Sequence, residues 1–184
     1  ITSLLDKLDP VAQRIGAVNT VVVKRDGLSD KIYLEGYNTD ADAFREALAP
    51  IIRPHHRRAL ILGTGGASKA VSYALTKNNM EHFFVTRHPS KFHYCYADLN
   101  HNAMRLFQVI INTTPLGTYP NVNDCAPIPY EMLTNKHLLF DLVYNPAQTK
   151  FLQLGKDKGA FIHNGFRMLK LQADRSWEIW NNQH

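Results

Sequence analysis

The sequence predicts an α/β fold built on a doubly wound parallel sheet, preceded by a smaller α/β piece. Three observations carry this. Short continuous apolar runs recur from residue 59 onward with helical segments between them, the pattern of parallel strands buried on both faces. A glycine-rich turn joins the first of these runs to a helical segment. The first fifty residues follow another pattern, with an alternating strand pair and a proline-flanked basic stretch at their end. With 45% hydrophobic and 20% charged residues in a chain of 184, a packed core is expected.

Leu4, Leu5, Leu8, Val11, Ala12 and Ile15 recur at helical spacing, so the chain is expected to open on an amphipathic helix, kinked or divided by Pro10. The β-branched run Val18–Val23, the turn pair Asp26-Gly27 and the alternating stretch Lys31–Tyr37 predict a hairpin. Asp40–Leu48 reads as a helix with Phe44 and Leu48 on one face, stopped by Pro50 and Pro54. The boundary between two units falls there. The runs Ala59–Leu62, His82–Thr86, Phe107–Ile111, Leu138–Val143 and Ala160–His163 are the expected parallel strands. Ala67, Ala70, Val71, Ala74 and Leu75 form the buried stripe of the helix after the first. Phe166–Trp180 is helical in spacing, and Met168, Leu169, Leu171, Trp177 and Trp180 give it a broad apolar surface to bury.

Several classes of function are excluded. No apolar run approaches the roughly 18 residues of a membrane span. Cys95 and Cys125 form no CxxC pair and have no histidine at ligand spacing, so neither a disulfide framework nor a metal site is expected, and reduced thiols point to the cytoplasm. The chain begins at Ile1 without a leader pattern. The net charge of +5 is scattered apart from one cluster at residues 53–58, which argues against nucleic acid and suits an anionic small molecule or a phosphorylated cofactor.

The sharpest local signal is Gly63-Thr64-Gly65-Gly66-Ala67-Ser68, directly after a strand and opening a helix. Gly63 makes the tight turn, Gly65 admits a pyrophosphate to the backbone, and the free N–H groups of the helix start hold the anion. About twenty residues on, where an NAD site carries an acid for the ribose, the tip reads Thr86-Arg87-His88-Pro89-Ser90-Lys91 and has none. Arg87 would hold a 2′-phosphate bidentately, which favours NADP, with Gly63, Thr64, Gly65, Gly66, Ala67, Thr86, Arg87, His88 and Lys91 as the cofactor residues. By residue type alone, Gly16–Thr20 and Gly36–Asp40 are turn and capping segments, with Asp40 a helix N-cap.

A resemblance changes that last reading. Gly16-Ala17-Val18-Asn19-Thr20, Gly36-Tyr37-Asn38-Thr39-Asp40, the glycine loop, Asn112-Thr113-Thr114-Pro115-Leu116-Gly117, Asp141-Leu142-Val143-Tyr144-Asn145-Pro146 and Gly165–Gln172 occur in the order of shikimate dehydrogenases. The chain resembles that family over nearly its whole length. The resemblance implies a cytoplasmic enzyme of aromatic amino-acid and chorismate biosynthesis that reduces 3-dehydroshikimate to shikimate with NADPH, in a cleft between a substrate domain and a Rossmann domain. It implies a catalytic role for Asp40 beside a lysine, shikimate contacts for Asn19, Tyr144 and Gln172, and places near the nicotinamide for Leu142 and Gly165. Residues 1–50, with the final helix 166–182 packed back on them, would be a truncated remnant of the substrate domain, and 55–165 the NADP-binding Rossmann domain.

The departures from the family pattern are specific. The Asn-Val-Thr phrase that carries the family's lysine, and the serines that hold the substrate carboxylate, do not occur, and Lys7, Lys24 and Lys31 lie outside any such phrase. Ala43, Thr64, Thr86 and Thr118 replace commoner residues. The 184-residue chain is therefore expected to bind NADP(H) with little turnover. Exposed strand edges and apolar faces favour self-association, most simply a homodimer. A quinate/shikimate dehydrogenase and a non-catalytic NADP-binding module are the rival readings.

Overall fold

The computed structural model describes residues 2–25, 31–88 and 93–182. The opening differs from the amphipathic helix expected of it. A 3₁₀ turn, Thr2–Leu4, leads into a short strand β1, Lys7–Leu8, and only then into helix α1, Pro10–Ile15. Pro10 starts the helix rather than kinking it, because a ring without an N–H fits the first turn. Asp9 caps it, accepting from Val11 N at 2.9 Å and Ala12 N at 3.3 Å. Upstream the backbone is committed to a sheet, with Asp6 N donating to Leu34 O and Asp9 N to Gly36 O.

β1 runs parallel to β3, Ile32–Tyr37, and β3 pairs antiparallel with β2, Thr20–Arg25, in the register Thr20↔Tyr37 to Arg25↔Ile32. The expected Asp26-Gly27 turn lies outside the described residues. Glu35, buried in β3, bonds Lys24 at 2.7 Å and Lys7 at 3.0 Å and so ties the three strands together. The Lys24 hydrogen bond chiefly holds its carboxyl well below the ordinary range, at about 2.

Helix α2, Asp40–Leu48, covers the predicted residues, and Ala43, Phe44, Ala47 and Leu48 enter the core of the second sheet. That sheet contains β4, Arg58–Leu62; β5, Glu81–Val85; β6, Val109–Asn112; β7, Leu138–Asp141; and β8, Phe161–His163. All pairings are parallel, in the spatial order β5-β4-β6-β7-β8. Alternate residues feed two cores. Ile61, Ile111 and Phe140 face α2 and α3, Gly66–Lys77, while Leu60, Ile110 and Leu139 face α4, His101–Leu106, and α5, Lys150–Asp157. Helices on both faces are the doubly wound arrangement, and the order reverses between β4 and β6, where such sheets open a crevice beyond the strand ends.

Helix α6, Phe166–Asn181, packs against α2 and reaches β2. Met168 is buried, but Trp177 and Trp180 are 66% and 51% exposed, so the outer half of its apolar surface stays uncovered among the described residues. Trp180 is nevertheless anchored, its indole N–H donating to Val21 O at 3.0 Å.

Candidate active site

The crevice between β4 and β6 holds two adjoining hollows. One, of about 320 Å³, is lined by Gly63, Thr64, Gly65, Thr86, Arg87, Tyr96, Thr113, Thr114, Pro115, Leu116 and neighbours. The other, of about 350 Å³, shares Thr113, Thr114 and Pro115 and adds Ala67, Thr118, Leu142, Val143, Tyr144 and Asn145. Loop residues from the ends of β4, β5, β6 and β7 thus meet along one groove.

The glycine loop is built for close approach. Gly63, with φ +106°, turns the chain out of β4 while its N–H donates to Val85 O at 2.9 Å. No side chain caps α3 at Gly65, and a Cβ placed there would meet nothing within 4 Å. The start of α3 thus has open space beside it and no capping side chain, a fit for the diphosphate of a dinucleotide. Arg87 stands exposed at the end of β5, and His88 lies beside it with its N–H directed to Thr86 Oγ1. Lys91 lies outside the described residues.

A second cluster lies where the small sheet meets α2. Asn19 Nδ2 donates to Asp40 Oδ1 at 2.8 Å and to Thr39 Oγ1 at 2.9 Å, while Asn19 Oδ1 accepts from Thr39 N and Thr20 Oγ1. Both ends of the amide are used, so its orientation is fixed. Asp40 is not the helix cap that its residue type suggests. Thr39 takes that position, which frees the Asp40 carboxylate for Asn19. Burial pushes the Asp40 carboxyl above its ordinary value, and the Asn19 hydrogen bond opposes this in part.

The glycine-loop helix lies against the segment that leads into Asn19. A Cβ on Gly66 would meet Ala17 Cβ at 3.6 Å, and Lys69 Nζ reaches Gly16 O at 3.4 Å. Gln172 lies one turn before Ser176 on α6, its Nε2 donating to Leu169 O. Leu142 and Gly165, far apart in sequence, are pressed together: a Cβ on Gly165 would fall on the Leu142 carbonyl, 2.6 Å from its carbon.

Residue patterns missed three features. Buried Ser176 bonds Thr20 Oγ1 at 2.7 Å and Thr39 Oγ1 at 3.2 Å, tying α6 to the Asn19–Asp40 cluster across more than 130 residues of sequence. Tyr96 joins the nucleotide-side hollow near Arg87. Asn112 and Asp141 end two otherwise apolar strands, and burial lifts the Asp141 carboxyl to about 6. A lone polar residue closing a buried run is the signal that could have found the last pair.

No family model matches the chain. The NADP+-dependent shikimate dehydrogenase of Methanococcus aeolicus is 38% identical over 195 residues, covering 98% of this chain and 68% of the relative. A shikimate dehydrogenase crystallised with NADP+ superposes with a TM-score of 0.81 at 31% identity, covering 98% of this chain and 66% of that one. The enzyme of Thermus thermophilus, crystallised with NADP(H) and shikimate, gives 0.80 at 33% identity over 97% of this chain and 67% of its own. The chain thus spans about two thirds of the length of these proteins. This level of identity over nearly the whole chain, together with the close superposition, leads to one conclusion: the chain belongs to the shikimate dehydrogenase family.

Proposed function

We propose that this chain carries the NADP(H) site and part of the substrate site of a shikimate dehydrogenase, acting in the reduction of 3-dehydroshikimate to shikimate. The supporting observations are an uncapped glycine-loop helix start and, on helix α2 packed against that helix, a half-buried carboxyl, Asp40, oriented by Asn19. Gly63–Ala67 would cradle the diphosphate, and Arg87, beside Thr86 and His88, would take the 2′-phosphate. Leu142 and Gly165 would border the nicotinamide. The bound dihydronicotinamide supplies the hydride.

The chain's own residues orient the substrate and handle the proton. Reduction of a ketone leaves an alkoxide that must gain a proton, and a carboxyl raised by burial holds one at a pH where an exposed aspartate would not. Asp40 is the proton holder in this reading. Asn19 is the group that aims Asp40, its amide hydrogens reaching Asp40 and Thr39, and the shikimate contact that the family resemblance implies for it would be made by exchanging one of these bonds for the substrate. Tyr144 and Gln172 would complete the contacts to the hydroxyls and carboxylate. No ion pair involving Asp40 occurs among the described residues, and no lysine of the 184 lies in the family's lysine phrase. Turnover by this chain alone is expected to fall below the roughly 1 to 10³ per second of ordinary enzymes.

The test is calorimetric titration of NADP+ and then shikimate into the chain, repeated on Asn19→Ala. Wild type should take up both, and the variant should keep NADP+ and weaken shikimate by about tenfold, one lost hydrogen bond to a charged network. NADP+ binding without any shikimate binding would leave only a nucleotide module and refute the substrate half of the reading.

A further inference from the structure

Asn112 and Asp141 are register partners at the ends of β6 and β7, and both side chains are fully buried. Asp141 Oδ1 accepts from Asn112 Nδ2 at 2.9 Å and from Val143 N at 3.0 Å, and its Oδ2 accepts from Thr149 Oγ1 at 2.5 Å. Asn112 Oδ1 in turn accepts from Thr114 N at 3.1 Å and Thr114 Oγ1 at 2.6 Å. Thr149 is itself the cap of α5, accepting from Leu152 N. Every bond leads to a segment bordering the groove or to the helix behind it.

We propose that Asn112, Asp141 and Thr149 are positioning residues, a buried clasp that sets the Thr113–Leu116 loop and the Leu142–Tyr144 loop relative to each other across the groove. The proposal rests on the reading that the groove holds NADPH. A buried carboxylate costs free energy unless its acceptors are filled, and here three donors from three segments converge on it, so moving the Val143 loop would strip a donor from the charge, while moving the Thr114 loop would strip both donors from the Asn112 oxygen. The loops are thereby held by one bonded pair, Asn112 and Asp141, more stiffly than by their own turns. The geometry also says which end of the cofactor feels the clasp. Thr114 borders both hollows, but Val143, bonded directly to Asp141, borders only the hollow of Leu142 and Tyr144, and Arg87 and the glycine loop make none of the clasp's bonds.

The experiment compares NADPH with 2′,5′-ADP, which has the adenosine and 2′-phosphate end but no nicotinamide. Both are titrated into wild type, Asp141→Asn, Thr149→Val, Thr149→Ser and a control core variant, Val71→Ala. Asp141→Asn and Thr149→Val should weaken NADPH by about tenfold, the loss of one charge-assisted bond, and change 2′,5′-ADP by less than about twofold. Thr149→Ser, which keeps the hydroxyl, should restore NADPH affinity, and Val71→Ala should lower stability without separating the two ligands. Equal weakening of both ligands, unchanged NADPH affinity in Thr149→Val, or failure of serine to rescue would overturn the clasp while leaving the cofactor reading intact. A wild type that binds neither ligand would overturn the cofactor reading, and the clasp's role with it. Should Asp141→Asn fail to fold, the Thr149 pair decides the matter alone.

Discussion

Gly165→Ala is the substitution whose effect follows most directly from the coordinates. Gly165 has an ordinary helical φ of −76°, so an alanine there meets no backbone strain. Its methyl group, however, would lie 2.6 Å from the Leu142 carbonyl carbon and 3.0 Å from its Cα, where unstrained contact begins near 3.4 Å. The Leu142 carbonyl oxygen would lie closer still, so more than about 0.8 Å of movement is needed, and neither side is the free end of a side chain. Gly165 N also donates to Val143 O at 3.2 Å, so the loop and the start of α6 cannot part without losing that bond. Overpacking of this kind costs about 1–3 kcal/mol. Displacement of Leu142 by most of an ångström should raise the NADPH dissociation constant by about tenfold or more, given how steeply positioning enters such sites. Urea unfolding and NADPH titration of the same preparation give both numbers. A Gly165→Ala protein with wild-type midpoint and wild-type NADPH affinity would refute the argument, since it would mean that this close approach constrains nothing.

Three further outcomes are expected. Arg87→Ala should weaken NADPH by about 10- to 100-fold, one bidentate charged contact, and leave NADH unchanged; equal effects on both would remove Arg87 from the 2′-phosphate. Stability against pH should carry two opposite signatures. Asp141, raised from 3.8 to about 6 by burial, binds more protons folded than unfolded between those values, so it costs up to about 3 kcal/mol as pH rises through that window, and the Asp141→Asn curve should lack this fall. His56, lowered by burial and fixed neutral between Arg53 N and Lys136 O, contributes stability present above about pH 6.5 and lost as pH falls; His56→Gln should flatten that limb. Glu35→Gln should destabilise by about 1 kcal/mol at neutral pH, with the difference vanishing as pH falls from 4.5 towards 2, and an unchanged difference at pH 2.5 would contradict the Lys7–Glu35–Lys24 staple.

The sequence made the five-stranded sheet legible because its three central strands are buried on both faces, so Ala59–Leu62 or Leu138–Phe140 reads as an apolar run without reference to anything distant. The glycine loop was legible for the same local reason: Gly63 must adopt a positive φ, and the helix must start without a capping side chain. The opening was not. Leu8 fits a helical stripe with Leu4 and Leu5, and only the presence of β3 alongside makes Leu8 a strand residue. Trp177 and Trp180 fit an apolar helix face, yet no described element covers them. In the site, Asp40 was marked by its phrase, but residue type could not show that Asn19 aims it, since the bond spans 21 positions. The Asn112–Asp141–Thr149 clasp depends on β6 and β7 being neighbours in register, which composition and periodicity do not encode.

The central claim is a dinucleotide site on this chain that prefers the 2′-phosphate. Parallel titrations of NADPH and NADH into the wild-type chain test it most directly. NADPH should bind at least about tenfold tighter, the contribution of one charge-assisted contact from Arg87, and NADH binding of equal or greater strength, or no binding of either, would contradict it.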